Sequence, residues 1–125
     1  MRTLAIVFSL ACLVSVSSVA QQPVSLSGNW VAKFDTPKGE AREVTIVIRD
    51  NSGTWFQQAV RNNPCTGREM PITVDKVAPD GFELTRSSSK VLAGCPDISY
   101  QLKRVDDKVF EGVTPDGRKI QFIRQ

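Results

Sequence analysis

Three cysteines, Cys12, Cys65 and Cys95, and the absence of any histidine set the reactive chemistry open to this chain. Cys12 lies in an N-terminal apolar run, which leaves Cys65 and Cys95 as a pair. They are far apart in sequence and lack C-x-x-C spacing, and no imidazole is present to share a metal. A disulfide is therefore favoured over a metal or redox site. Closing that loop is worth roughly 3–4 kcal/mol in the chain-entropy description. Ser87-Ser88-Ser89-Lys90 matches the S-x-x-K nucleophile string, but the motifs that accompany it in serine acyl-enzymes are missing. Asp106-Asp107 reads as a turn rather than a paired acid and base. There is no phosphate-cradling glycine loop and no calcium loop. Without histidine the commonest general base is missing too. The chain reads as non-enzymatic, with no cofactor and no metal.

The elements that would carry these residues begin after a leader. Met1–Ala20 holds one basic residue, Arg2, an apolar run from Leu4 to Val16, and small residues at Ser18 and Ala20. This is the pattern of a signal peptide cleaved before Gln21, too short to be a stable membrane span. Leu10-Ala11-Cys12 has some likeness to a lipoprotein processing site. Ser9 stands where that signal takes Leu, and the apolar run continues past Cys12. A freely soluble periplasmic or secreted product is therefore favoured over one lipid-anchored through Cys12. Residues 21–125 form one domain. The formal net charge is +3, one unit of which leaves with Arg2, too mild to suggest nucleic acid as partner.

Turn residues divide the mature chain into eight short strands: Leu26–Asp35, Arg42–Arg49, Thr54–Val60, Met70–Lys76, Phe82–Arg86, Ile98–Val105, Lys108–Val113 and Arg118–Arg124. No segment has helical periodicity. Such a series predicts an all-β, eight-stranded antiparallel up-and-down barrel, with a two-sheet sandwich as the alternative. Tight turns at Asp50–Gly53, Ala78–Gly81 and Asp106-Asp107 would gather at one end. The loops Thr36–Glu40, Arg61–Glu69, Ser87–Asp97 and Pro115–Gly117 would gather at the other, and both cysteines fall there. The inner rows comprise Trp30, Phe34, Val44, Ile46, Ile48, Phe56, Met70, Ile72, Val74, Phe82, Leu84, Ile98, Tyr100, Leu102, Phe110, Ile120 and Phe122. So many bulky residues predict a filled barrel with a shallow mouth rather than a deep cavity. Gly112, small and inward, would leave a pocket or mark a strand kink.

Gly28-Asn29-Trp30 on the first strand, with Arg124 at the end of the last, resembles the calycin pattern, shared by lipocalins, fatty-acid-binding proteins, avidins and bacterial metalloprotease inhibitors. In that group a G-x-W motif opens the barrel and an arginine from the final strand packs across the tryptophan. The resemblance implies that Trp30 and Arg124 close the tight-turn end through a cation–π contact. Leu26-Ser27-Gly28-Asn29-Trp30 is most similar to the strand opening of the secreted metalloprotease inhibitors.

Three functions are consistent with these features. The first is an exported inhibitor or protein-binding barrel, whose partner would be an extracytoplasmic protein, a protease or other enzyme. The second is a carrier of a small hydrophobic ligand at the long-loop mouth. The third is an envelope structural protein. Basic residues at the long-loop end, among them Lys38, Arg42, Arg61, Arg68, Lys90, Arg118 and Lys119, outnumber the acidic Glu40, Glu69, Asp97 and Asp116 and suit an acidic partner. By strict alternation Trp55 points outward, opposite Phe56. With Arg61, Arg68, Lys90 and Arg118 it would form a partner-contact surface. A bulge at Gly53 would instead turn Trp55 inward.

Overall fold

The computed structural model describes residues 12–15 and 25–125. The expected signal peptide and its cleavage site lie outside these residues, apart from exposed Cys12 and the three residues after it. Eight strands follow in order: β1 (Gly28–Asp35), β2 (Ala41–Arg49), β3 (Ser52–Gln57), β4 (Glu69–Ala78), β5 (Gly81–Ser87), β6 (Asp97–Arg104), β7 (Val109–Val113) and β8 (Lys119–Arg124). One short 3-10 turn, Ser88–Lys90, sits between β5 and β6. Each strand pairs antiparallel with the next, and β8 returns to β1 to close a barrel. Closure leaves no strand edge open to another chain and settles barrel against sandwich.

Alternation builds the interior. On β2, Val44, Ile46 and Ile48 are buried while Glu43, Thr45 and Arg49 face out. Strands β1, β4, β6 and β8 contribute Trp30 and Ala32, Met70, Ile72 and Val74, Tyr100 and Leu102, and Ile120 and Phe122 in the same way. Burying each large apolar side chain is worth about 1.5–3 kcal/mol, so the inward rows supply most of the driving force. Two partly buried residues, Phe34 and Ile98, pack against this core at the long-loop end. The middle of the barrel is filled, as expected.

Two expectations about the inner face need correction. Trp55 is buried, 2% exposed, and Phe56 is the residue turned toward the outside. No bulge is involved: β2 and β3 pair in unbroken register, with Ile48 opposite Gly53 and Ile46 opposite Trp55. Asp50 and Asn51 alone make the turn, Asp50 taking a left-handed φ of 56°. In so short a hairpin the turn fixes the parity of the second strand. Because Ile46 faces in, Trp55 does too. Gly53 belongs to β3, and a Cβ there would lie 1.9 Å from the Val47 carbonyl oxygen. Gly112, in turn, leaves no pocket. A Cβ on it would meet the Gln101 carbonyl oxygen at 2.7 Å and Leu102 at 3.0 Å, so the glycine lets β6 approach β7 closely.

Candidate functional site

The tight-turn end is sealed. Trp30 Nε1 donates to the Leu26 carbonyl at 2.9 Å, and Leu26 itself is buried beneath the end of the barrel. Trp30 and Arg124 face each other across the β1–β8 seam. The guanidinium sits 5.1 Å from the indole centroid, and its Nη2 donates to the Ser25 and Ser27 carbonyls at 2.8 Å each. Phe82 and Phe110 meet the indole edge-on at 6.0 and 5.6 Å. Gly28 takes a φ of +140°, a backbone conformation that glycine adopts without strain, and carries the chain past the Arg124 side chain. This end therefore carries the Trp30–Arg124 cation–π contact expected of it.

The opposite end is open. Cys65 and Cys95 form the expected disulfide, with Cα atoms 5.7 Å apart, tying the β3–β4 loop to the β5–β6 loop. The β3–β4 loop is braced further. Thr66 Oγ1 donates to the Asn63 carbonyl and accepts from Val60 N, both at 2.8 Å, and Gly67 N reaches the Gln57 carbonyl at 2.7 Å. Ser89 N and Oγ hold Asp97 at 2.9 Å across the β5–β6 loop. The hydrogen bond from Ser89 N keeps the Asp97 carboxyl below its ordinary pKa. The rim is thus built rather than loose.

Within it lies a cavity of about 280 Å³ lined by residues of three of the four long-loop connections, β1–β2, β3–β4 and β7–β8, and by the strands below them. Its floor is Trp55 stacked on Tyr100, ring centroids 5.5 Å apart and planes within 6°. Phe122 backs both rings at about 6 Å. Three arginines enter the cavity from inward strand positions or their continuations: Arg42 before Val44, Arg86 after Leu84, and Arg118 before Ile120. Charged side chains on inward rows are costly and rare.

The three differ in how they are satisfied. Arg42 Nη2 is paired with Glu40 at 2.6 Å. Arg118 Nε is paired with Asp116 at 2.7 Å, and Thr114 Oγ1 also donates to Asp116. These bonds, the Arg118 one foremost, keep the Asp116 carboxyl below its ordinary pKa. Arg118 Nη1 is nevertheless buried without a protein partner, and its guanidinium lies 6.0 Å from the Phe34 ring. Arg86 forms no ion pair with any described carboxylate. Its guanidinium rests 4.7 Å from the Trp55 centroid, and Nε is buried without a partner. Burial lowers the Arg86 pKa, with Tyr100 opposing. Burial also raises the Tyr100 phenol, against the pull of Arg86 and Arg118.

Of the residues singled out from sequence, Arg118 lines the mouth. Arg61, Arg68 and Lys90 are exposed on the surrounding loops and do not line it. Arg68 instead borders a shallow groove along its own loop, with Ala59, Asn62 and Pro64. Trp55 belongs to the cavity floor, so the outward surface expected around it is not assembled. Arg86 was not anticipated. Its signal lay in continuing the Phe82, Leu84 row by one more step.

No family model matches the chain, and no curated protein matches it. Among solved structures it is similar to a redesigned β-barrel, at 22% identity and a TM-score of 0.45, over 80% of this chain and 91% of that one. Among the described residues no helix is long and apolar enough to cross a membrane.

Proposed function

We propose that this chain is a non-enzymatic, exported binding module whose long-loop mouth takes a small ligand. The observation that carries the reading is the pair of guanidinium nitrogens, Arg86 Nε and Arg118 Nη1, buried in the mouth without a protein partner. Buried polar groups are ordinarily hydrogen-bonded. A concave site with an aromatic floor and a few convergent polar groups is the usual form of a small-molecule site. The Cys65–Cys95 disulfide fits an oxidising compartment, the periplasm or the cell exterior. The resemblance of Gly28-x-Trp30 and Arg124 to the calycins agrees with a binding role at the end opposite their contact. A second reading draws on the exposed Arg61, Arg68 and Lys90, which would suit an acidic extracytoplasmic protein, a protease or another enzyme, docked on the same rim.

Calorimetric titration with a panel of small neutral, cationic and anionic organic compounds tests the main reading. The comparison variant is Ile98→Phe, which narrows the mouth. At least one compound should bind saturably, and Ile98→Phe should weaken it. If nothing in the panel binds, or binding ignores Ile98→Phe, the mouth is not a ligand site.

A further inference from the structure

We infer that the mouth is built for a small organic monocarboxylate, held at its carboxylate by Arg86 and Arg118 and at its apolar body by Phe34, Ile98 and Ile120. The inference rests on the ligand-binding reading above and names the ligand class.

Charge balance is the first argument. Three guanidinium groups reach the cavity, and two are already neutralised, Arg42 by Glu40 and Arg118 by Asp116. Arg86 has no ion-pair partner among the described residues. The surplus is therefore a single positive charge, which one carboxylate cancels. A dianion would leave a negative charge in a partly buried site, and a neutral ligand would leave Arg86 uncompensated.

Donor count is the second. Arg86 Nε and Arg118 Nη1 are each buried and unpartnered. A carboxylate has two oxygens and accepts from planar guanidinium forks with little distortion. The Arg86 guanidinium lies 4.7 Å from the Trp55 centroid and that of Arg118 6.0 Å from the Phe34 centroid, so an aromatic ring accompanies each donor. Arg118 is held by Asp116 and Arg86 rests against Trp55 before the ligand arrives, which reduces the side-chain entropy still to be lost.

Depth is the third. Trp55 and Tyr100, backed by Phe122, close the cavity from below, and the barrel beneath them is packed. A cavity of about 280 Å³ lies at the lower limit of ordinary ligand sites. One ring or a short chain fits it, and a long acyl tail has nowhere to go. Ligand size is thus set by the filled core and ligand charge by the arginines.

The test compares phenylacetate and benzoate with their neutral amides, and with inorganic phosphate and palmitate, by calorimetry on the whole mature chain. The two small acids should bind at least about tenfold more tightly than their amides, and more tightly than phosphate or palmitate. Arg86→Gln and Arg118→Gln should each weaken the acids by about tenfold or more while leaving the amides little changed. Arg68→Gln, exposed and outside the cavity, should change neither. A second readout needs no variant. Tyr100 is the only tyrosine, so near-ultraviolet absorbance titration reports on it alone. A carboxylate bound beside it should move its ionisation to higher pH, whereas the amides should not. That readout decides the matter if Arg86→Gln does not fold. Amides binding as well as acids, or phosphate or palmitate binding better than phenylacetate, would overturn the monocarboxylate assignment and leave a ligand-binding mouth standing. Absence of any mouth-dependent binding across the wider panel would remove both.

Discussion

Arg124 serves two neighbours with one side chain. Its guanidinium lies over Trp30 and donates to the carbonyls of Ser25 and Ser27, so that Leu26 is held as a plug. Arg124→Ala should cost about 1–3 kcal/mol, from the lost cation–π contact and two charge-assisted hydrogen bonds. Denaturant unfolding measures this, and Arg124→Lys should recover only part of it because an ammonium lacks the planar fork. An unaltered midpoint in Arg124→Ala would show that the seal does not depend on this contact. Tyr100 gives a pH prediction at the other end. Burial raises its folded-state pKa above the ordinary phenol value of about 10. An acid with a raised folded pKa favours the fold fully below the unfolded pKa. That contribution is lost as pH rises from the unfolded toward the folded value. Unfolding midpoints should therefore fall above about pH 10, and Tyr100→Phe should flatten that fall. A wild-type alkaline slope preserved in Tyr100→Phe would assign the effect to another group.

The β2–β3 hairpin shows how an element decides what a residue does. Its short turn at Asp50 and Asn51 puts Gly53 and Trp55 on the inner face, where Gly53 passes against the Val47 backbone. Gly53→Ala should destabilise the barrel by at least about 1–3 kcal/mol, as overpacking does, and a thermal melt would show it. A wild-type melt would mean the strand can yield there. The same hairpin marks where sequence reasoning was sound and where it was not. Strand count, the two ends of the barrel and the pairing of Cys65 with Cys95 were legible, because alternation and turn residues are local signals; the exact turn was not, since Ser52 and Gly53, expected in it, belong to β3. The orientation of Trp55 was not. Trp55 and Phe56 are adjacent and both apolar, so composition cannot rank them, and only the register against Ile46 does. Arg86 escaped for a related reason: an inward row is recognised by its apolar members, and a charged residue at its end looks like the row's termination. The basic character of Arg42 and Arg118 was visible, but their convergence with Arg86 needed the closed barrel.

Over the whole molecule the disulfide and the barrel closure divide the work. Closure fixes the strands, and Cys65–Cys95 ties the β3–β4 loop, which lines the mouth, to the β5–β6 loop beside it. Reduction should therefore lower stability by roughly 3–4 kcal/mol in the chain-entropy description, and should also weaken any mouth ligand, since Val60 and Asn63 ride on the tied loop. Comparing melting temperature and ligand titration with and without reductant measures both effects. Reduction that lowers the melting temperature but leaves affinity untouched would limit the bridge to a stabilising role. The β1–β8 seam has a consequence for handling the molecule. Ser25 and Gln125 both lie at the sealed end, where Gln125 N bonds to the Asn29 carbonyl at 2.9 Å. A tag, a fusion partner or a solid support joined at Gln125 would hold the barrel like a cup by its base, with the rim facing away and free to fill.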